Sequence, residues 1–174
     1  MGCEGLSEVY YGRYLQHHAD QLGVNVHIDN KLPMNQGGGD PLAIVERSVK
    51  HIKRTNLKRE PYKYRFIFLD DDITNNRRNN EAIQLAENNG IRIYRQKVNY
   101  EGFILNHLPG CVGLMPDKDH SEFELKRIWP EYNKPMDSRS LINKIPLSGL
   151  ISIVNKDDEF KDVLVEMGFI FDDD

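Results

Sequence analysis

Cysteine is scarce in this 174-residue chain, which contains only Cys3 and Cys111. Two thiols cannot build a disulfide framework, and the chain does not open with a basic segment followed by an apolar one, so the sequence favours a reducing cytoplasm. Long apolar runs are missing as well. Stretches such as residues 66–69 and 150–154 fall far short of the roughly 20 residues that cross a bilayer. We therefore expect a cytoplasmic protein without a membrane-spanning segment.

An excess of positive charge is also missing, since the formal net charge is −4. This argues against a protein that coats nucleic acid nonspecifically, because such binding requires many Lys and Arg side chains against phosphates. An acidic metal site contributes negative charge of its own, and a bound divalent ion reverses the sign locally. The apolar share of 39% and the charged share of 29% are those of an ordinary globular domain with one core.

Helical and strand-like periodicities alternate along the first two thirds of the chain. Apolar residues at three- and four-residue steps predict helices over residues 4–22, 41–60, 76–89, 100–108, 122–129, 138–145 and 158–167. Alternating or continuous apolar runs predict strands over residues 24–28, 64–69 and 91–94. Asp40 and Pro41 form a strong helix start. The alternation predicts an α/β fold with a Rossmann-like parallel sheet flanked by helices.

The strand and helix alternation gives way to helices near residues 109–118. We therefore expect an α/β core over residues 1–108 and a helical C-terminal extension over residues 109–174, packed on that core as one domain. Helix one is predicted to begin at Glu4, which leaves residues 1–3 too short for the strand that should precede it. Either the translation start lies upstream, or the sheet lacks an intact first strand.

Acidic residues follow the predicted apolar strand directly, as Asp70, Asp71 and Asp72. Ligands of open parallel sheets bind beyond the carboxyl ends of the strands, and two carboxylates one residue apart can hold a magnesium ion. Alternatively, the aspartates cap the next helix and face solvent. The second acidic cluster, Glu4 and Glu8, also lies at a junction into a helix, which favours a shared acidic site at one sheet edge.

Ordered motifs along most of the chain resemble the RloB-like family of bacterial defence loci, relatives of the Toprim domains. The segment from Glu4 to Tyr11, EGLSEVYY, is similar to that family's E-G-x-[ST]-E-x-x-Y opening. The other matching segments are GGDPL at 38–42, FLDDD at 68–72, the A-x-x-x-A-x-x-x-G-I exit at 82–91, YEGFILNH at 100–107, and the Y-x-K element within WPEYNK at 129–134.

The resemblance implies a Toprim-like fold, bound Mg²⁺ or Mn²⁺, and cleavage of RNA or DNA phosphodiesters, with a protein of the same defence system as a further partner. It makes Glu4 the Toprim glutamate, acting as metal ligand or general acid/base, and Asp70 and Asp72 the D-x-D pair. Glu8 and Glu101 become candidate further ligands.

Several basic residues and one histidine are further candidates for functional roles. Arg77 and Arg78 follow the aspartates closely and are candidates to contact substrate phosphate, while His107 is expected to support the site. The basic stretch over residues 50–59 is either a solvated face aided by the helix dipole or a nucleic-acid surface.

Two other functions remain open. The motif at 70–74 fits the D-x-D-x-[TV] signature of haloacid-dehalogenase-like phosphatases, with Asp70 and Asp72 in the reaction. The other is a noncatalytic Toprim-shaped subunit that binds a partner or nucleic acid.

Overall fold

The computed structural model describes residues 1–30, 40–71 and 76–171. Its strands are β1 (Gly2–Cys3), β2 (Phe66–Asp70) and β3 (Arg92–Gln96). Its helices are α1 (Leu6–Gln21), α2 (Pro41–Asn56), α3 (Asn76–Asn88), α4 (Tyr100–Leu105), α5 (Lys118–Ile128), α6 (Ser138–Lys144), α7 (Leu147–Val154) and α8 (Asp158–Glu166). Within the described residues, no helix has the length and apolarity that a bilayer crossing requires.

The described strands form one parallel sheet in the order β1-β2-β3. Cys3 pairs with Phe68, and Asp70 pairs with Gln96, so the strands end along one common edge. The predicted α/β class with a parallel sheet flanked by helices is confirmed. The predicted start of α2 is confirmed as well, because the Asp40 side chain accepts a hydrogen bond from the Ala43 amide.

The expectation that residues 1–3 cannot form a strand was wrong. Gly2 and Cys3 pair in parallel with Ile67 and Phe68, so a two-residue first strand precedes α1. Glycine permits this close approach, because a Cβ at position 2 would lie 2.8 Å from Ser48 Oγ and 2.9 Å from Ile67 Cγ1. The strand therefore packs directly against α2 and β2.

The strand predicted over residues 24–28 was also wrong. The backbone there pairs with a side chain instead of a strand: Gln16 Nε2 donates to the Val26 carbonyl at 3.0 Å, and the Ile28 amide donates to Gln16 Oε1 at 2.7 Å. One carboxamide thus replaces two ladder hydrogen bonds, and the segment lies along α1. Alternating apolar residues describe an extended backbone but do not specify its partner.

The sheet separates two apolar clusters. On one side, α2 and α3 pack over Ile67 and Leu69 with aliphatic side chains only. On the other side lie α1, α4 and the C-terminal helices, packed over Phe68 and Tyr94. Side chains alternate between faces along a strand, which explains the division within β2.

The C-terminal helices continue the second cluster. Helix α5 packs on α4, and α6 packs on α1. Helix α7 was not predicted, since residues 150–154 were interpreted only as an apolar run. Helix α7 packs closely against the residues that follow α4, because a Cβ at Gly149 would lie 2.4 Å from the His107 carbonyl oxygen.

Candidate functional site

Three polar side chains stand at the carboxyl edge of the sheet. Glu4 follows β1, Asp70 ends β2, and Gln96 ends β3 opposite Asp70. Glu4 Oε2 and Asp70 Oδ1 are both buried from solvent. Glu4 and Asp70 therefore lie at the carboxyl ends of adjacent parallel strands.

Glu8 extends this group from the first turn of α1. Its Oε2 accepts a hydrogen bond from the Gly5 amide at 2.7 Å, so the carboxylate caps its own helix. Glu8 is 4% exposed, and burial raises its pKa, with the charge of Glu4 adding to the increase. The hydrogen bonds and Lys134 oppose that shift without reversing it. The acids therefore interact across the start of α1.

Glu101 brings α4 and a distant loop to the same place. Its Oε1 accepts a hydrogen bond from the Tyr132 hydroxyl at 3.2 Å and lies 2.9 Å from Lys134 Nζ. The Glu101 side chain is only 6% exposed, whereas that of Lys134 is 47% exposed. Glu101 therefore holds Lys134, whose side chain is partly exposed to solvent.

Lys134 is the cation of this acidic group. Burial lowers its pKa, but the hydrogen bond and charge of Glu101, together with Asp70 and Glu8, raise it more, so the net shift is upward. Its Nζ also lies 5.7 Å from the centre of the Tyr100 ring. The ammonium stays charged and is held by an acid on one side and an aromatic face on the other.

Two buried polar groups at this edge have no hydrogen-bond partner among the described residues. Gln96 is completely buried, and both atoms of its carboxamide lack a partner. The Tyr100 hydroxyl is equally buried and unpartnered. Burial raises the pKa of Tyr100, and the nearby acids Glu8, Glu101 and Asp70 add to that effect. Groups of this kind are costly unless a ligand or water satisfies them.

The backbone between β3 and α4 is strained. Val98 has φ 67°, a left-handed conformation that a β-branched residue rarely adopts. Asn99 then caps α4, accepting from the Gly102 amide at 2.9 Å. Such strain concentrates at functional sites, and here it directs the chain from Gln96 into the helix that carries Glu101.

The two arginines predicted to contact phosphate are placed differently from each other. Arg78 forms a bidentate pair with Asp40, including a 2.7 Å bond from Nε to Oδ1, and so ties α3 to the start of α2. The side chain of Arg77 is 89% exposed and lies 3.1 Å from Glu81 on the same helix. Arg77 is the more accessible of the two.

His107 lies within the aromatic cluster. Its Nδ1 bonds the Phe103 carbonyl at 2.9 Å, and its Nε2 bonds the Tyr11 hydroxyl at 2.8 Å. A carbonyl only accepts, so Nδ1 carries the proton and Nε2 accepts from Tyr11. Burial lowers the pKa of His107 to about 4. The imidazole is a neutral core group that joins α4 to α1.

Asp72 lies outside the described residues, as does Thr74. In the part of the chain that the structure describes, no three His, Cys, Asp or Glu side chains gather closely enough to hold a metal ion. The donors present are nevertheless of the right kind, because Mg²⁺ takes oxygen ligands and keeps several waters alongside one or two carboxylates. Glu4 and Asp70 fit such a partial set.

Sequence reasoning did not identify Lys134, Tyr132 or Gln96 as site residues. Tyr132 and Lys134 belong to the Y-x-K element, to which the sequence assigned no role. They follow Glu101 by some 30 positions in the chain, and only the fold brings them into contact with it. Gln96 was missed because the strand predicted over residues 91–94 stops before it, whereas β3 continues to Gln96. The sequence matches no protein-family model, and no curated protein or solved structure matches it.

Proposed function

We propose that this chain is a divalent-metal-dependent, Toprim-like phosphodiesterase that cleaves RNA or DNA in bacterial defence. The main support is the meeting of acids at the carboxyl edge of the sheet, where Glu4 and Asp70 end adjacent parallel strands with buried carboxylate oxygens. The family resemblance described above supplies the reaction class and the defence context.

Glu4 and Asp70, together with Asp72, would hold Mg²⁺ or Mn²⁺. Such an ion, when bound, supplies an activated water and stabilises charge on the phosphoryl oxygens. The carboxylates of Glu8 and Glu101 act around these ligands, since Glu8 caps Gly5 and Glu101 holds Lys134. They keep α1 and the loop bearing Lys134 in position.

Lys134 binds the substrate. Its ammonium is the positive charge beside Asp70 and Glu8, and almost half of its side chain is exposed, so a phosphate can reach it. Interaction with a phosphate stabilises the negative charge that develops during displacement. Tyr100 and Gln96 add neutral groups that can donate hydrogen bonds at the same edge.

The noncatalytic alternative, a binding subunit that acts with a defence-system partner, has one specific observation in its favour. Among the described residues the acids do not form a group of three around one point, and Glu101 is already neutralised by Lys134. In this alternative the ion pair and its hydrogen bonds serve only to fold the loop. The phosphatase alternative depends on Asp70 together with residues that lie outside the described ones.

Cleavage of labelled tRNA, single-stranded DNA and duplex DNA with Mg²⁺ or Mn²⁺ separates these functions. The proposal predicts metal-dependent cutting by the wild type and at least a hundredfold loss in Asp70→Asn and Glu4→Gln. Glu87→Gln, on the exposed face of α3, is the matched control and should cut normally. Circular dichroism confirms that each variant folds.

Equal cutting by the wild type and Asp70→Asn would overturn the proposal. The absence of cutting on all three substrates, together with unchanged metal binding by Asp70→Asn, would favour the binding subunit.

A further inference from the structure

Basic residues are concentrated in one short segment of this acidic protein. Residues 41–65 contain eight of the 23 Lys and Arg side chains but only two of the 27 acids. The remaining 149 residues therefore carry 15 cations against 25 acids. A local excess of this size, within a chain of net charge −4, defines a cationic surface in an otherwise acidic protein.

The cations lie on the solvent face of α2. Ile44, Val45 and Val49 are buried against the sheet, whereas Lys50, Lys53 and Arg54 are exposed on the other side of the helix. Helical geometry explains this division, because residues three and four apart share a face. We call these three exposed cations, with Lys58 just beyond the helix, the α2 basic face.

The α2 basic face has one exposed acid on the same side of the helix, Glu46, one turn before Lys50. Among the cations of residues 41–65, only Arg59 has an ion pair within 4 Å in the described parts of the chain, with Asp29. The helix dipole favours Lys53 and Arg54 in the last turn, but it does not explain Lys50 in mid-helix or Lys63 beyond it. The surface is therefore open to an external polyanion.

Aromatic rings continue this surface past the end of α2. Arg59 lies 4.5 Å from the centre of the Tyr62 ring, and Lys63 Nζ lies 5.0 Å from that of Tyr64. Tyr64 is 41% exposed and stacks against Phe66 with ring centres 6.4 Å apart. Tyr64 is thus an exposed ring beside cations. Single-stranded nucleic acids bind on such surfaces, with their phosphates on the cations and their bases stacked on the rings.

A cavity of about 390 Å³ opens beside these rings. This cavity, which we call the Tyr64 cavity, is lined among others by Tyr62, Lys63, Tyr64, Phe66 and Met167. Its lining also includes the acids Asp29 and Glu166, which pair with Arg59 and Arg92. The volume equals that of roughly a dozen water molecules, which leaves room for a planar base.

A smaller cavity shares the walls formed by Tyr62 and Tyr64 and is also lined by Ser48 and Arg65. The Ser48 hydroxyl and Arg65 Nε are buried there and have no hydrogen-bond partner within residues 1–30, 40–71 and 76–171. Unsatisfied groups in an adjoining space supply polar contacts for a ligand that enters this end of the sheet.

We propose that the α2 basic face and the Tyr64 cavity bind single-stranded nucleic acid, with phosphates along α2 and one base against Tyr64. The cavity lies at the amino end of β2, whereas the acids lie at its carboxyl end. Helix α2 spans roughly 24 Å between the two ends. The binding surface is therefore separate from the acidic site and does not depend on its chemistry.

Fluorescence anisotropy with a labelled 20-nucleotide oligouridine, in EDTA, tests this surface. The triple variant Lys50→Gln, Lys53→Gln, Arg54→Gln should bind at least tenfold more weakly at 100 mM salt. The slope of log affinity against log salt should fall by about 2, because three phosphate contacts are lost. The triple variant Lys126→Gln, Arg127→Gln, Arg139→Gln removes the same charge elsewhere and should bind like the wild type.

The cavity is tested by Tyr64→Ala and Tyr64→Phe. Loss of one stacked base should weaken binding by about tenfold in Tyr64→Ala, while Tyr64→Phe keeps the ring and most of the affinity. Circular dichroism and thermal melts establish that the variants fold.

Equal losses in the two triple variants, or tighter binding of a duplex than of the single strand, would overturn the proposal. EDTA removes divalent metal, so this result stands apart from any failure of the acidic site to cleave.

Discussion

The two faces of the sheet are built from different side chains. The α2 and α3 face is aliphatic, with Ile67 and Leu69 under the helices. The opposite face is aromatic, and its rings surround His107. The hydroxyls of Tyr11 and Tyr94 form buried hydrogen bonds on this face. The α2 and α3 face therefore contributes mainly apolar burial, whereas the other face combines burial with directed hydrogen bonds.

The aromatic face is also the side on which the candidate site is assembled. Phe68 and Tyr94 belong to it, and strand alternation places Asp70 and Gln96 on the same side two residues later. Buried polar groups there fix the geometry at a cost in stability. We therefore expect the aromatic face to be more sensitive than the aliphatic face to changes in side-chain shape and in pH.

Phe160→Ala should produce the largest loss. The Phe160 ring, which is fully buried, contacts the rings of Tyr11, Tyr94, Phe103 and His107 at centre distances of 5.3 to 6.4 Å. Its removal leaves a cavity, so the free energy of unfolding should fall by about 3–5 kcal/mol in urea titrations.

Phe123 is the matched control, since it is 64% exposed. Phe123→Ala should change the free energy of unfolding by less than about 0.5 kcal/mol. Similar values for the two variants would contradict the placement of Phe160 at the centre of the aromatic face.

Acid should destabilise the aromatic face through His107. Its pKa is lowered from 6.5 to about 4 in the folded state, because burial disfavours the charged ring. Between these values the unfolded chain binds the extra proton and the folded chain does not, so stability is complete above pH 6.5 and decreases toward pH 4. The loss approaches about 3 kcal/mol.

Urea titrations of His107→Gln from pH 4 to 7 isolate this contribution. The variant should be less stable at pH 7 but should lose the part of the pH slope due to His107. His27→Gln, on an exposed segment, is the control and should keep the wild-type slope. An unchanged slope in His107→Gln would show that another group causes the acid sensitivity.

Gly149→Ala should cost about 1–3 kcal/mol. Its methyl group would lie 2.4 Å from the His107 carbonyl oxygen, so α7 must move away from the end of α4. Thermal melts should show the loss despite alanine's better helix propensity. Ser148→Ala, at an exposed position of the same helix, should melt like the wild type, and equal melting of the two variants would rule out the close approach.

The smallest effects belong to the exposed pair on the aliphatic side. Asp40→Ala removes both the cap of α2 and the contact with Arg78, and should cost about 1 kcal/mol. Arg78→Ala keeps the cap and should cost less than about 1 kcal/mol, since the pair is partly solvated. Chemical denaturation of both variants checks the order, and a larger loss in Arg78→Ala would reverse it.

The parts of the fold that local patterns determine were predictable. Asp40 and Pro41 specified the start of α2, and the apolar run before Asp70 specified β2. The segment around Val26 was not predictable, because an extended backbone can pair with a strand or, as here, with the side chain of Gln16. The two-residue strand at Gly2 depends on pairing with β2, which no periodicity over two residues can reveal.

The candidate site also contains residues that sequence rules identify and contacts that only the fold creates. Acids after strand ends could be identified from the general rule for parallel sheets, and Glu4 and Asp70 follow it. The contacts of Lys134 and Tyr132 with Glu101 depend on the path of the helical C-terminal part, which the sequence pattern did not specify. The neutral state of His107 depends on burial within that same packing.

The most direct test of a metal site at the carboxyl edge is the effect of Mn²⁺ on thermal stability, measured for the wild type, Asp70→Asn, Glu4→Gln and the exposed control Glu87→Gln. A site that binds only the folded chain should raise the melting temperature by about 5 °C or more at a hundredfold excess over Kd. We expect this rise in the wild type and the control, and its loss in Asp70→Asn and Glu4→Gln. No rise in the wild type, or an equal rise in all four proteins, would contradict a metal site at the carboxyl edge of the sheet.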